Sequence, residues 1–558
     1  MNNLNPLLLV DSYKVNHFRM YPNGMTKLYS NFTPRKSRIP GIESVVTFGL
    51  QHFIKEYLIE KFNKEFFSKR VYTKLPAVTE NLHKSSLNFK EKIINQYKHH
   101  CNVDTKHIEA LWDLGYLPIE IKALDEGTLC PIGVPMLTIT NTHPDFAWLV
   151  NYLETLISAM LWQPITSATI AYEYKKILNK YALETTGSTE GVQWQAHDFS
   201  MRGMSSIESA IISGMGHLTS FTGTDVIPAI YQLEKSYSAT GLIGASVPAT
   251  EHSVMCMGTK ESEIKTFQRL LNLYPSGILS VVSDTWNLWD VLTKYLPELK
   301  EEILARDGKL VIRPDSGDPV DIICGNHGHS WNRSDYVETQ DADGNYLVDF
   351  YGELDYNEGK AISPNEYKGV IELLWNTFGG TINDQGYKVL DPHIGAIYGD
   401  SITMERATQI CERLKDKGFA STNIVFGVGS FTYQYNTRDT FGFAMKATYG
   451  EITHDTCDCL ANSTCGECGI EPREIFKDPI TDDGTKKSKK GLLQVFNNRA
   501  DKQGYEQLFD GKDQIEVNDQ CTWEQEQGGL LTTIFKDGKL VKETTLDEIR
   551  ERLNNQLC

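Results

Sequence analysis

The spacing of apolar and polar positions changes twice along the chain. Residues 1–155 mix short periods of both kinds. Lys27 to Arg38 predicts a strand followed by a basic turn, and Thr73 to His107 is polar and largely helical. Over residues 145–185, Phe146, Trp148, Leu149, Tyr152, Leu153 and Leu156 recur at helical spacing, which predicts a buried core helix. From about residue 194 short apolar runs each end in a polar residue: Trp194 to Asp198, Leu218 to Asp225, Ala245 to His252, Leu279 to Asp284, Leu310 to Asp315, Ile394 to Asp400 and Ile424 to Ser430. The intervals between those polar ends are 27, 27, 32, 31, 85 and 30 residues. Most equal one strand plus one returning helix.

Seven such units predict an irregular α/β barrel of parallel strands, with an open doubly wound sheet as the alternative. In a barrel the loops after the strands converge at one end, where sites are built. The long interval predicts a polar insertion, residues 321–385, with a hairpin turn at Asp341 to Gly344. After residue 440 the rhythm dissolves into a Cys-rich loop, a Lys-rich turn at 486–490 and short alternating runs such as Leu530 to Phe535. Asp537-Gly538 is a hairpin signal. The expected organisation is a barrel domain over 156–440 and a second, mixed α+β domain. The latter would combine 1–155 with 441–558, whose Cys-rich loop spans 454–469.

Composition narrows the function classes. Of 558 residues, 40% are hydrophobic and 23% charged, which excludes a mainly disordered chain. The net charge of −18 argues against nucleic-acid binding by bulk charge, yet leaves room for a local basic pocket. No apolar run is long enough to span a membrane. Leu7 to Val10 lacks a preceding basic residue and ends at Asp11, so no signal peptide is expected. Most of the 11 cysteines are scattered, as reduced thiols of a cytoplasmic protein would be.

The strand ends carry the candidate chemistry. Leu310 to Gly317 ends a strand with Arg313 and Asp315 two residues apart, on one side of the chain, and an Asp there can accept two vicinal ribose hydroxyls. Gly399-Asp400 and Gly429-Ser430 follow the last two strands, where backbone N–H groups can approach a phosphate. Glu251 and His252 end another unit. The imidazole can shuttle protons or attack a phosphoryl group, and Asp284 on the next unit could orient it. Arg35, Arg202, Arg438, Lys446, Lys477 and Lys486 are cations suited to a polyanionic substrate such as a pyrophosphate ester. Cys457, Cys459, Cys465 and Cys468, with His454 in reserve, have spacing that could hold a structural Zn²⁺; free thiols and a disulfide are the alternatives.

Together these residues resemble the nicotinamide phosphoribosyltransferase family. The motifs are Asp11-Ser12-Tyr13-Lys14, His197-Asp198-Phe199-x-x-Arg202-Gly203, Gly223-Thr224-Asp225, Ser246 to Ser253 and Val282-Ser283-Asp284. Arg313 to Gly317, Gly399-Asp400, Thr437-Arg438-Asp439 and Lys477-Asp478-Pro479 complete them in one order over most of the chain. The resemblance implies a type II phosphoribosyltransferase fold and a homodimer with active sites shared across its interface. It implies a reaction joining nicotinamide to phosphoribosyl pyrophosphate, with Mg²⁺ and with ATP hydrolysis coupled through a phosphohistidine. By motif, Phe199 and Tyr13 of a second copy would sandwich the pyridine ring. Asp225 would accept from the carboxamide and Arg313 would bond near the amide and ribose. Asp315 would hold the ribose, and Gly399, Asp400, Gly429 and Arg438 the 5′-phosphate. Arg35, Arg202, Lys446, Lys477 and Lys486 would line the pyrophosphate path. His252 matches the phosphorylated histidine, with Glu251 and Asp284 beside it. Asp11, Ser246 and Ser280 would be further substrate-binding positions.

The chemistry agrees with these assignments. Displacement at the anomeric carbon develops positive charge on the ribose and negative charge on the leaving pyrophosphate, which cations stabilise. Asp225 facing the exocyclic group would welcome an amide and repel the carboxylate of nicotinic acid. Nicotinate phosphoribosyltransferase is therefore the same-fold alternative, and a catalytically silent nucleotide-binding scaffold is a third reading. Two features depart from the family: Ser430 stands where Gly is common, and the Cys-rich loop looks inserted between Lys446 and Lys477. A metal in that loop would stiffen both flanks. Replacing Cys465 and Cys468 with Ser is then expected to lower the zinc content of the purified protein, measured by elemental analysis; unchanged content refutes the site.

Overall fold

The computed structural model describes residues 4–67, 79–327, 340–348, 360–399, 402–454, 469–481, 488–498 and 515–557. The chain divides into two compact units. One comprises 1–169, 232–239 and 436–558, the other 170–231 and 240–435.

The second unit is built on six parallel strands. In chain order they are β1 (Ala196–Asp198), β2 (Gly223–Thr224), β3 (Ser276–Val282), β4 (Asp307–Arg313), β5 (Ile394–Tyr398) and β6 (Ile424–Val428). Their order across the sheet is β2-β1-β6-β5-β4-β3, so the two edges are β2 and β3. Residues 245–250 bond to both edges. Ala245 donates to Thr222 and accepts from Thr224, at 2.8 and 3.0 Å, while Thr250 donates to Ser280 at 3.0 Å. Ser280 donates to Pro248 at 2.9 Å, and the N–H of Val282 donates to Oγ1 of Thr250 at 2.9 Å. The sheet thus closes through an irregular seventh segment, and all seven expected βα units take consecutive places around the ring. This is the irregular α/β barrel expected from the chain's rhythm.

Outward residues of the barrel strands are apolar because helices cover them. Leu310 and Ile312 on β4 are fully buried. The helix Glu263–Leu273 buries Phe267, Leu270 and Leu271, one stripe at helical spacing, and Met404–Asp416 buries Ala407, Ile410, Cys411 and Leu414. Thr403 starts the latter helix by accepting from the N–H of Arg406. The hairpin expected at 341–344 is present, with Gln340 and Tyr346 bridged across it. Among the described residues the insertion also has an apolar part. The helical stretch Pro364–Phe378 is opened by a Ser363/Glu366 capping box and kinked at Gly369 (φ 77°), and its Val370, Ile371 and Leu374 are buried.

The first unit holds a seven-stranded antiparallel sheet. Its order is Gly469–Glu474, Ala444–His454, Met25–Thr33, Leu137–Asn141, Ile119–Ala123, Thr532–Lys536 and Lys539–Leu540. The last two strands turn at Asp537 and Gly538, both with positive φ (49° and 78°), as the Asp-Gly pair predicts. The helix expected over 145–185 is broken at its start: Pro144–Phe146 and Leu149–Tyr152 are separate short helical turns, and the long helix runs Glu154–Thr186, so of the residues that predicted it only Leu156 lies within it. The unit boundary lies inside it, at Thr169/Ile170, rather than at 155/156. Residues 232–239, expected in the barrel domain, group with the first unit instead. Gln51 donates to the carbonyl of Ser236 at 2.7 Å, and Lys235 pairs with Glu56 at 2.6 Å.

One core site in this unit sets an acid limit. His107, on the helix Lys106–Leu114, stacks on Phe18 at 3.8 Å and meets Trp148 edge-on at 4.8 Å. Both ring nitrogens are buried without a hydrogen-bond partner. Burial pushes its pKa down to about 4, assisted by Arg19 and opposed by Asp104. Below the unfolded value near 6.5, the unfolded chain takes up a proton that the folded chain refuses, so stability falls as pH drops from about 6.5 toward 4. His107→Phe is expected to remove this share, at most about 3 kcal/mol. Denaturant unfolding at pH 7 and pH 4.5 should show a smaller acid loss in the variant than in the wild type.

Candidate active site

The loops after the barrel strands bring together most of the residues singled out from the sequence. In the barrel unit these are Phe199, Arg202, Asp225, Ser246, Glu251, His252, Ser280, Asp284, Arg313, Asp315, Gly399, Gly429 and Ser430. Asp11, Tyr13, Arg35, Arg438, Lys446 and Lys477 belong to the other unit. Asp400, Lys486 and the four clustered cysteines lie outside the described residues.

Asp225 follows β2 and faces β1. His197 Nε2 donates to its Oδ1 at 3.0 Å, and the hydroxyl of Ser246 donates to the same oxygen. Burial works against its charge. The bonds from His197 and Ser246, with the charges of His197 and Arg313, outweigh burial and hold Asp225 below the usual carboxylate range. The ring of Phe199 lies against that of His197, with centroids 4.5 Å apart.

Arg313 ends β4. One terminal nitrogen donates to the carbonyl of Thr250 at 2.6 Å, and its Nε is buried without a partner. Burial lowers its pKa, against the carboxylates of Asp315, Asp225 and Asp284. A buried guanidinium N–H without a protein partner is uncommon in a folded chain.

His252 opens the helix His252–Met257. Its Nε2 donates to Asp315 Oδ1 at 3.1 Å, and in the neutral ring Nδ1 accepts from Thr285 Oγ1 at 3.2 Å. The expected role of Asp284 is therefore corrected, because neither ring nitrogen bonds to it. Its Oδ2 instead accepts from the N–H groups of Asp315 and Ser316, at 3.0 and 2.9 Å, and from the Ser316 hydroxyl. Asp284 thus holds the loop that presents Asp315. Glu251 likewise makes no bond to the ring and accepts from Ser253. Thr285 and Ser316 were missed in the sequence. Each stands one residue beyond a recognised Asp, which was the available signal.

His252, Asp284 and Asp315 each offer an atom within 4.8 Å of the others. Asp284 Oδ1 is buried and unpartnered, so the two carboxylates fit a hard divalent cation such as Mg²⁺. Ser280 lies on β3 with its hydroxyl buried and unpartnered. Beyond β5, the N–H of Gly399 donates to the carbonyl of Pro314 at 3.0 Å. Gly429 precedes the short helix Ser430–Gln434 with φ −91° and ψ −179°, extended backbone that any residue adopts. The Ser at 430 is accommodated without a left-handed backbone.

On the other unit, Arg35 Nε donates to the carbonyl of Gly442 at 3.1 Å, and Arg438 reaches Asp439 at 3.3 Å. Lys446 has its pKa lowered by burial, and Arg35, Lys477 and Arg438 reinforce the shift while Glu154 opposes it. These four cations form one positive cluster. Tyr13 is 63% exposed, with Lys14 over its ring, and the Thr155 hydroxyl donates to Asp11 at 2.7 Å.

Residues 194–512 match the model of the nicotinate phosphoribosyltransferase (NAPRTase) family, and residues 5–103 match the nicotinamide phosphoribosyltransferase N-terminal domain. A curated nicotinamide phosphoribosyltransferase from Acinetobacter baylyi is 46% identical, over 99% of this chain and 98% of that protein. The chain belongs to the nicotinamide phosphoribosyltransferase family. A second member, from Mycoplasma pneumoniae, is 35% identical over 88% of this chain and 97% of its own length. The crystal structure of nicotinate-nucleotide pyrophosphorylase from Pyrococcus furiosus has a TM-score of 0.51 at 14% identity. It covers 100% of this chain and 96% of that one, a likeness of fold.

Proposed function

We propose that this protein transfers the phosphoribosyl group of phosphoribosyl pyrophosphate to nicotinamide, giving nicotinamide mononucleotide and pyrophosphate for NAD salvage. The observation that carries this reading is Asp225, held ionised with both of its protein donors on one oxygen. Its Oδ2 is left to accept the carboxamide NH₂, while the carboxylate of nicotinate would meet a like charge. The names of the Acinetobacter and Mycoplasma relatives support the amide over the acid.

The remaining groups fit the steps. The pyridine nitrogen is already a nucleophile, so no general base is required. Phe199 offers a ring face to the base, and the free Nε of Arg313 offers a donor toward its amide and the ribose. Asp315 accepts the ribose hydroxyls beside the carbon that becomes cationic. Such positioning can supply roughly 7–11 kcal/mol. Mg²⁺ at Asp284 and Asp315 would neutralise developing charge on the pyrophosphate. Arg35, Arg438, Lys446 and Lys477 form the kind of cationic cluster that a leaving pyrophosphate requires.

His252 is nearly half exposed, at 46%, and its ring is oriented by Asp315 and Thr285. We assign it the phosphoryl acceptor. A ring nitrogen takes the γ-phosphoryl of ATP, ADP departs, and water later releases phosphate. A homodimer that supplies Tyr13 to the neighbouring copy's base site fits that ring's exposure. Among the described residues no helix is long and apolar enough to cross a membrane. The described cysteines are unpaired, which supports a cytoplasmic setting.

The test is product formation from phosphoribosyl pyrophosphate and Mg²⁺, with nicotinamide or nicotinate, each with and without ATP. Nicotinamide mononucleotide as the main product is expected, and a preference for nicotinate would overturn the role of Asp225. ATP should stimulate the wild type, whereas His252→Ala should retain ATP-independent transfer and lose the stimulation. Asp225→Asn should narrow the ratio of kcat/KM for nicotinamide over nicotinate by about tenfold or more. An unchanged ratio would remove Asp225 from base selection.

A further inference from the structure

We propose that His197 is the positioning residue that sets base selectivity, by fixing Asp225 Oδ1 so that Oδ2 alone faces the pyridine substituent. This rests on the function proposed above. Three independent contacts build the arrangement. The first is the bond from His197 Nε2 to Asp225 Oδ1 at 3.0 Å. It commits the Nε2 proton, since a carboxylate only accepts. The second is the ring of Phe199, 4.5 Å from that of His197 and inclined by 35°, which restrains the imidazole on the side of the base.

The third is Gly223. The parallel register sets His197 opposite Gly223, with Asp225 two residues further along and on the same face. A Cβ on Gly223 would lie 2.9 Å from Nδ1 of His197 and 3.1 Å from the carbonyl oxygen of Ala196. The missing methyl is the space the imidazole occupies. Strand pairing, a glycine and an aromatic ring therefore place one N–H against one carboxylate oxygen. Ser246 donates to the same oxygen from the segment that closes the barrel.

This arrangement assigns separate duties to the two oxygens of Asp225. With Oδ1 occupied from two directions, rotation of the carboxylate would break both bonds. Oδ2 then keeps a fixed direction, and an amide can donate to it without reorganising the site. The contact to His197 also favours the anion that repels a carboxylate substrate. Loss of the His197 donor should free the carboxylate to rotate and weaken both effects, while the reacting ribose carbon and its ligands are untouched. The signature is a change in KM for nicotinamide and in base preference, with little change in kcat.

The experiment compares wild type, His197→Phe and His197→Gln with nicotinamide and nicotinate, alongside thermal melting of each protein. Phe keeps a ring against Phe199 and removes the donor, whereas Gln restores an N–H donor without the ring. For His197→Phe, KM for nicotinamide should rise roughly tenfold, kcat should stay within about twofold, and the nicotinamide-over-nicotinate ratio should fall in step. His197→Gln should recover most of that loss. A base preference in His197→Phe within twofold of wild type overturns the proposal. So does equal loss in both variants in proportion to their melting temperatures, which would mark His197 as a packing residue. A wild type that makes no product from nicotinamide would refute the proposed function itself, a result separate from either variant's behaviour.

Discussion

The backbone bonds on either side of residues 245–250 govern the rest of the barrel unit. A six-stranded parallel sheet has two open edges, and here one short segment satisfies both. That closure places the ends of β2 and β3 on a common rim. It also sets Ser246, Thr250 and His252 in sequence between them, so that Ser246 reaches Asp225, Thr250 receives Arg313, and His252 reaches Asp315. An open sheet would leave those three contacts on opposite edges. The closing segment is irregular because it is spent on side-chain positions as well as on pairing, a common arrangement where function and fold share residues.

Much of this was legible in the chain because parallel strands buried on both faces end abruptly in polar residues. Asp198, Asp225, His252, Asp284, Asp315 and Ser430 mark those ends, and spacing alone ordered them. Other features lay beyond pattern. The bond between His197 and Asp225 depends on which strands are neighbours and in what register. Nothing local to either residue encodes that. Asp284 looked like a partner for the imidazole because both stand at strand ends, but its carboxylate meets two backbone N–H groups that come from the turn after β4. Backbone donors carry no sequence signature. The apolar helix Pro364–Phe378 was obscured because the residues around it are polar enough to dominate a long window.

Charge follows a similar division between global and local. The chain carries a net −18, yet the candidate site concentrates Arg313 among three carboxylates, and the other unit gathers four cations around Lys446. The lysine is pushed toward its neutral form by burial and by its cationic neighbours, and Asp284 Oδ1 is buried without a partner. Groups held in this way are the ones that a ligand of opposite charge stabilises most.

The antiparallel sheet has a consequence for biosynthesis. Its strand Met25–Thr33 pairs with Ala444–His454, and Asn31 bonds to Lys446 across 415 residues of chain. Ribosomes add about 5–20 residues per second, so the early strand waits on the order of 20–80 s for its neighbour. Its other edge pairs with Leu137–Asn141, made far earlier, so during that wait one edge of the strand stays unpaired. The barrel, whose strands follow one another around the ring, can close before that partner is made. The edge that Ala444–His454 will cover is thus open for most of synthesis, a template for unwanted strand pairing.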